Sequence, residues 1–137
     1  MKRIFVLDAC AVIALVKKER GADIVAGLYQ RAASGSVQLC INRVNLLEVY
    51  YGFYYDKGRD YASNIIQHVE SSSVFVSEFD RDVFLEAGRL KASYRLSLAD
   101  SILVAQAIVT NGAIITADHH ELDAIESSES LDFIWIR

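Results

Sequence analysis

The sequence predicts an α/β fold in which a parallel sheet is covered by helices. Two observations support this. Short apolar stretches rich in β-branched residues recur along the chain, and the longer segments between them show helical periodicity. The short stretches are apolar on both faces, which is typical of parallel strands buried between layers of helices.

The predicted elements follow in chain order. The short apolar stretches predict strands over residues 4–7, 37–41, 74–76, 113–116 and 133–136. The periodic segments predict helices over residues 9–18, 22–33, 44–55, 60–69, 82–94 and 98–110. Asn111-Gly112 is a helix C-cap signal, and Ser34-Gly35-Ser36 is a turn. The chain has no proline, repeat or linker, so a single domain over residues 1–137 is expected.

Composition narrows the classes of protein. The chain is 53% hydrophobic and 23% charged, which is typical of a globular domain. No apolar run reaches the length of a membrane span. The apolar run after Met1-Lys2-Arg3 is similar to a signal peptide, but Asp8 interrupts it, so no signal peptide is expected. Cys10 and Cys40 form no metal or redox motif. We therefore expect a cytoplasmic protein with two reduced thiols and no membrane partner.

Charge is distributed unevenly along the chain. The net charge of −4 argues against a general nucleic-acid coat. From residue 96 to residue 136 there is no Lys or Arg, but there are seven acidic residues: Asp100, Asp118, Glu121, Asp123, Glu126, Glu129 and Asp132. This pattern fits either an ordinary solvated surface or an acidic site that faces a cation or a basic partner.

Carboxylates follow two of the predicted strands. Asp8 comes directly after the first strand, and Asp118 follows the fourth with one residue between. Ligands of open α/β sheets bind beyond the carboxyl ends of the strands, so Asp8 is expected at this edge. Glu48 lies about one and a half turns into its helix and points back toward the helix start. Asp100 lies in a first helical turn, so the four carboxylates are expected to converge.

Such a cluster requires a counter-ion. Two like charges about 4 Å apart repel by roughly 4 kcal/mol at an effective dielectric constant near 20. Oxygen ligands favour Mg²⁺ or Mn²⁺, which promote phosphoryl chemistry. Simpler roles stay open for single residues. Ser97-x-x-Asp100 and Asp118-x-x-Glu121 both fit helix N-caps, and Glu48 suits an exposed helix face.

Four stretches resemble the successive acidic motifs of PIN domains: FVLDACAVIAL, NRVNLLEVYYG, LSLADSILVAQA and IITADHHELDAI. The short single-domain length is most similar to VapC-type toxins of toxin–antitoxin pairs. The resemblance implies a PIN-like three-layer α/β/α fold with a central, mainly parallel sheet of four to five strands. It also implies an endoribonuclease that depends on Mg²⁺ or Mn²⁺ and cleaves RNA, with a cognate VapB-like antitoxin and commonly a homodimer.

The resemblance assigns metal binding and catalysis to four carboxylates: Asp8, Glu48, Asp100 and Asp118. Family members often have Ser or Thr three and six residues before the glutamate, where this chain has Asn45 and Asn42. Their amides could cap a helix or bond a phosphate or a water. Thr116 matches the hydroxyl residue before the last acid and could bond the first aspartate or a ligated water. Glu121 and Asp123 remain alternatives for the fourth acidic position.

Other functions fit less well. A phosphatase with an aspartyl nucleophile would match Asp8, but Cys10 replaces the second acid and no glycine-rich phosphate loop is present. A phospho-acceptor signalling domain would need a lysine after a late strand, and none follows Lys91. A catalytically silent PIN scaffold that only binds protein or RNA remains open, because intact ligands do not establish turnover.

Three further features receive structural interpretations. Neighbouring residues on a helix diverge, so His119 and His120 are not expected on one ion. The stretch EVYYGFYYD is expected in the core or at a partner interface, with stacking of RNA bases as the alternative. The basic residues Lys17, Lys18 and Arg20 are interpreted as a solvated helix end.

Overall fold

The computed structural model describes residues 2–137, which form five strands and seven helices. The strands are β1 Arg3–Leu7, β2 Val37–Asn42, β3 Val74–Ser77, β4 Ala113–Thr116 and β5 Phe133–Trp135. The helices are α1 Ala9–Lys17, α2 Ala22–Ala33, α3 Arg43–Lys57, α4 Arg59–Glu70, α5 Arg81–Ser93, α6 Leu98–Thr110 and α7 His119–Ser128. None of these helices is long and apolar enough to cross a membrane.

The sheet is parallel throughout, with strand order β3-β2-β1-β4-β5. The predicted α/β class and the mainly parallel sheet are therefore confirmed. The chain first builds outward from β1 to β3 and then returns to the other side of β1 with β4. The strand order thus reverses between β1 and β4, and this point is where open α/β sheets bind ligands.

Side chains alternate between two cores along the central strands. On β1, Phe5 and Leu7 join the core beneath α1 to α4, whereas Val6 joins the core formed with α5 to α7. On β4, Ile115 joins the core beneath α1 to α4, and Ile114 joins the core formed with α5 to α7. This alternation explains why the strands are apolar on both faces, and it gives the three-layer α/β/α architecture.

Helix α7 was not among the predicted helices. Its sequence, HHELDAIESS, buries only two side chains, Leu122 and Ile125, so its apolar periodicity is weak. The helix is fastened to α5 by polar contacts instead. Arg89 pairs with Glu129 at 2.7 Å, and the Tyr94 hydroxyl donates to the same carboxylate. These contacts hold the C-terminal end of α7 against α5, while the start of α7 follows β4 closely in the chain.

Four helices follow a strand after no more than three residues, and all four therefore start at the carboxyl edge of the sheet: α1, α3, α5 and α7. Short polar residues cap three of these starts, because Asn42, Asp80 and Asp118 accept hydrogen bonds from backbone N–H groups of the first turn. The positive ends of the helix dipoles consequently face this edge, where they favour negatively charged groups.

Gly21, at the start of α2, occupies a position that only glycine fits. Its φ angle is +96°, and a Cβ atom there would lie 2.4 Å from the backbone oxygen of Ile136. A side chain would therefore be strained by both the backbone conformation and the contact. By contrast, a Cβ at Gly27, within α2, would meet no atom within 4 Å.

We expect Gly21→Ala to lower the free energy of unfolding by roughly 2–4 kcal/mol, because it adds a strained φ angle and a steric overlap. The matched control Gly27→Ala should raise it by about 0.5–1 kcal/mol, because alanine favours the helix. Urea denaturation monitored by circular dichroism measures both values. Equal effects of the two substitutions would contradict the described approach of Gly21 to Ile136.

Candidate metal centre

A cleft of about 680 Å³ opens at the carboxyl edge of the sheet where β1 and β4 end. All four carboxylates singled out in the sequence line it, and a fifth joins them: Asp8, Glu48, Asp100, Asp118 and Glu121. They come from the ends of β1 and β4 and from the helices α3, α6 and α7. Residues far apart in sequence therefore surround one cavity.

Asp8 is held at the end of β1 by its neighbours on β4. Its backbone N–H donates to the carbonyl of Ile115 at 3.0 Å, which continues the β1–β4 ladder. Its side chain makes no cap hydrogen bond to α1. Instead, one carboxylate oxygen accepts a 2.7 Å hydrogen bond from the hydroxyl of Thr116. Asp8 is thus 4% exposed, and a buried hydroxyl orients its carboxylate at the wall of the cleft.

Thr116 links two acidic residues rather than lining the cleft. Its hydroxyl donates to Asp8 and accepts a 3.0 Å hydrogen bond from the backbone N–H of Asp118. The side chain is fully buried. The sequence prediction that Thr116 could bond Asp8 agrees with this geometry, and the contact couples the position of Asp8 to the loop that carries Asp118.

Asp100 occupies a capping box that is only half formed. The Ser97 hydroxyl accepts a 3.1 Å hydrogen bond from the backbone N–H of Asp100, as an N-cap should. The reciprocal bond would join the Asp100 carboxylate to the Ser97 N–H. That N–H instead donates to both carboxylate oxygens of Glu121, at 3.2 and 3.1 Å. Glu121 therefore replaces Asp100 in the cap, and the Asp100 carboxylate is available to the cleft.

Asp100, Asp118 and Glu121 form the tightest acidic cluster. Each offers a carboxylate oxygen, and these oxygens lie within 4.8 Å of one another. Within residues 2–137 this is the one group of three or more potential ligand side chains spaced so closely. Asp118 also caps α7 by accepting from the backbone N–H of His120 at 3.1 Å.

Asp123 lies outside the cleft. Its exposed carboxylate contacts the imidazole Nδ1 of His119 at 2.8 Å, while Nε2 lies 2.9 Å from the Arg137 carbonyl. The same imidazole stacks on Trp135, with ring centroids 4.0 Å apart. His119 therefore packs α7 against β5, whereas His120 lines the cleft. The two histidines diverge, as their helical spacing predicts.

Glu48 lines the cleft from α3 and is half-buried. The two asparagines that precede it do not line the cleft. Asn42 caps α3 by accepting from the Val44 N–H at 3.0 Å. Asn45 donates to the carbonyl of Ala99 at 3.1 Å, so it ties α3 to the first turn of α6 beside Asp100. Both amides position the helices that carry the acids.

Burial and mutual repulsion raise the pKa of several acids. Desolvation raises the pKa of Asp8, against hydrogen bonds from Thr116 and Cys10 that lower it. Desolvation also raises the pKa of Glu48, and the neighbouring charge of Asp8 raises it further. Asp100 has a raised pKa because it is buried and hydrogen-bonded to Glu121, and the same hydrogen bond lowers the pKa of Glu121. The raised pKa of Asp100 and the lowered pKa of Glu121 place the more basic carboxylate on Asp100.

The donor set fits a hard divalent cation. The cluster of Asp100, Asp118 and Glu121 offers only oxygen atoms, which suit Mg²⁺ or Mn²⁺ better than softer metals. Oxygens bound to one Mg²⁺ at about 2.1 Å lie no more than about 4.2 Å apart, so the 4.8 Å cluster needs only small side-chain movements. A cation would also favour the ionised carboxylates and so offset the burial and the repulsion that raise their pKa values.

Cys10 is a residue at the site that the sequence motifs did not indicate. Its sulfur lies 3.4 Å from the Asp8 carboxylate, 3.5 Å from the Thr116 hydroxyl and 3.4 Å from the backbone nitrogen of Ala117. Burial raises the pKa of this thiol to about 12. The only signal available in the sequence was its place two residues after Asp8. Cys10 therefore acts as a neutral hydrogen-bonding neighbour of Asp8.

The aromatic stretch of α3 is divided between core and surface. Phe53 is buried and Tyr50 partly buried, whereas Tyr51, Tyr54 and Tyr55 are exposed. Tyr51 lines the rim of the cleft beside Glu48. The predicted core position therefore holds for Phe53 and in part for Tyr50, because consecutive residues point to different sides of a helix; a partner interface for the exposed tyrosines stays a prediction.

The chain belongs to the PIN domain family, because a sequence model of that family matches residues 5–126. No curated protein sequence matches significantly. A chain of the DNA-bound VapBC structure from Salmonella typhimurium is similar with a TM-score of 0.75 at 16% identity, over 100% of both chains.

Two further solved structures are similar in fold. A chain of VapBC2 from Rickettsia felis, bound to a promoter DNA fragment, gives a TM-score of 0.74 at 16% identity over 96% of this chain and 97% of that one. VapC20 from Mycobacterium tuberculosis is described as a Sarcin-Ricin loop cleaving toxin. It gives a TM-score of 0.62 at 15% identity, over 81% of this chain and 86% of that one. At these identities the similarity concerns the fold.

The raised pKa of Asp100 predicts a pH-dependent effect of Asp100→Asn. In the folded protein the pKa of Asp100 is raised above its ordinary value of 3.8. Above about pH 4 the folded protein therefore binds more protons than the unfolded chain. Its stability consequently falls as the pH rises from about 4 toward the raised pKa. Asparagine stays neutral, so without a cation Asp100→Asn should be more stable than the wild type at pH 7 by roughly 1–3 kcal/mol. The gain should shrink toward pH 4.

Urea denaturation in EDTA at several pH values measures this difference. Asp132→Asn is the matched control, because Asp132 is exposed at the opposite edge of the sheet and, among residues 2–137, forms an ion pair only with the exposed Arg3. The control should change stability by less than about 1 kcal/mol. A gain for Asp100→Asn that does not depend on pH would contradict the raised pKa of Asp100.

Proposed function

We propose that this protein is an endoribonuclease that depends on Mg²⁺ or Mn²⁺ and hydrolyses RNA phosphodiester bonds. We further propose that it is the VapC-type toxin of a toxin–antitoxin pair. The main support is the cluster of carboxylates at the point where the strand order of a PIN fold reverses. The similar fold of a toxin described as cleaving the Sarcin-Ricin loop supports RNA as the substrate class.

In this proposal Asp8, Glu48, Asp100 and Asp118 bind the cation and perform catalysis, and Glu121 is a fifth ligand. When bound, the cation neutralises charge on the phosphate and lowers the pKa of water. The protein supplies orientation. Thr116 holds the Asp8 carboxylate, and Asn45 ties the helix of Glu48 to that of Asp100. Fixed positions reduce the reorganisation that the reaction would otherwise require.

A covalent mechanism through the nearby thiol is disfavoured. Cys10 lines the cleft, but its pKa is raised to about 12, so almost none of it is thiolate at neutral pH. The thiol also donates a hydrogen bond to the Asp8 carboxylate, and its sulfur accepts one from the backbone N–H of Ala117. Direct attack by water on the phosphate requires neither this thiol nor a lysine.

A VapB-like antitoxin and a second copy of the chain are the proposed partners. Four large side chains of α3 are exposed: Leu47, Tyr51, Tyr54 and Tyr55. Exposed aromatic side chains are enriched at protein interfaces. Several similar structures are VapBC complexes. An RNA substrate and two unpaired cysteines are consistent with the cytoplasm as the proposed compartment.

Purified, antitoxin-free protein should cleave RNA from a pool of tRNA and rRNA in Mg²⁺ or Mn²⁺, and EDTA should abolish the cleavage. Asp8→Asn should reduce cleavage by at least about a hundredfold, because it removes an oriented charge from the site. Asp132→Asn should cleave like the wild type. Gel electrophoresis of the products gives the rates. Folded, cation-bound protein that cleaves no RNA in the pool would instead support a silent scaffold.

Glu121→Gln should weaken Mn²⁺ binding by at least about tenfold, because it removes one carboxylate of the cluster and changes the cap of α6. Asp123→Asn should leave the affinity unchanged, since that carboxylate contacts His119 outside the cleft. The rise in melting temperature during Mn²⁺ titration measures both affinities. The opposite ranking of the two variants would place Asp123, rather than Glu121, at the centre.

A further inference from the structure

A second cavity, of about 570 Å³, adjoins the carboxylate cleft. It lies between the segment that joins α5 to α6 and the first turn of α7, and we call it the Arg95 groove. Its lining residues are Lys91, Arg95, Leu96, Ser97, His120 and Glu121. Ser97, His120 and Glu121 also line the carboxylate cleft, so the two cavities share a wall. A chain-like ligand seated in the cleft can therefore continue into the groove.

The groove carries positive charge that is not neutralised by nearby acids. Arg95 is exposed, and its side chain makes no hydrogen bond or ion pair with any of residues 2–137. The ammonium of Lys91 donates to the carbonyl of Leu96 at 2.7 Å, which fixes its position and leaves two donors free. The acidic residue of the groove, Glu121, already accepts the Ser97 N–H with both oxygens.

The other basic residue on the cleft is already engaged. Arg137 lines the cleft, but its guanidinium donates to the Arg20 carbonyl at 2.8 Å and lies 3.6 Å from Glu19. The sequence has no Lys or Arg from residue 96 to residue 136. A polyanion that leaves the acidic cleft therefore meets available cations on the side of Lys91 and Arg95.

We propose that RNA runs from the carboxylate cleft into the Arg95 groove, and that Arg95 binds a phosphate next to the scissile one. This proposal rests on the proposed endoribonuclease function. The planar guanidinium presents paired donors that match two phosphate oxygens. Arg95 is a positioning residue: it binds the backbone of the substrate outside the reacting bond, so it contributes equally to binding of the ground state and of the transition state.

Binding is tested in the Asp8→Asn background and in EDTA, which together prevent cleavage of the RNA. Fluorescence anisotropy with a labelled single-stranded RNA of about 12 nucleotides gives Kd at several salt concentrations. Arg95→Ala should weaken binding about fourfold near 0.15 M salt and reduce the slope of log Kd against log salt by about 0.7, because one phosphate contact is lost. Arg95→Lys should keep the slope, since the charge remains.

Arg31→Ala is the matched control. Arg31 is exposed near the end of α2, at the opposite edge of the sheet, and removing it changes the net charge by the same amount. In the cleaving protein, Arg95→Ala should raise KM while kcat stays constant, because uniform binding energy is lost. Equal effects of Arg95→Ala and Arg31→Ala on the salt slope would overturn the groove assignment.

The possible results separate the groove from the proposed function. Cleavage by the wild type together with identical behaviour of the two arginine variants would refute the groove and leave the nuclease in place. Binding that depends on Arg95 without any cleavage would refute the nuclease and keep the groove. A protein that binds no RNA at all would overturn both. Binding of a labelled acidic peptide that depends on Arg95, in a protein that binds no RNA, would overturn the proposal and assign the groove to a protein partner.

Discussion

The parallel pairing of β1 with β4 is the constraint on which the site depends. Three residue pairs set the register, from Phe5 opposite Ala113 to Leu7 opposite Ile115, and the ladder ends in the bond from the Asp8 N–H to Ile115. This register places Asp8 beside Thr116. The two strands are joined only after more than a hundred residues, so their pairing is a long-range contact. A slip of one residue would turn Asp8 to the other face.

The cleft concentrates negative charge, and the fold offsets part of it without a cation. Helices that begin at the carboxyl edge direct the positive ends of their dipoles toward the acids. Thr116 and Cys10 donate hydrogen bonds to Asp8, and the Ser97 N–H donates to Glu121. These dipoles and hydrogen bonds offset the negative charge only in part, because the pKa values of Asp8, Glu48 and Asp100 remain raised. The negative charge that remains in the cleft therefore favours the binding of a cation.

Helix capping and the acidic cluster use the same residues. Ser97 caps α6, but the Ser97 N–H bonds to Glu121 of α7 instead of to Asp100. This exchange of hydrogen-bond partners satisfies the Ser97 N–H at the start of α6 and ties α7 to that helix start. It also leaves the Asp100 carboxylate facing the cleft. Asp118 likewise caps α7 while one of its oxygens belongs to the cluster. The cap interpretation and the site interpretation of these acids are therefore compatible.

The sequence alone determined the strands, six of the seven helices and the edge at which the acids lie, because these depend on local apolar periodicity and on where a residue follows its strand. Tertiary structure decided the rest. Helix α7 is held by polar contacts to α5, the place of Glu121 depends on a cap donated by another helix, and Cys10 reaches Asp8 through the β1–β4 register. Such contacts join distant residues, and no local pattern in the sequence encodes them.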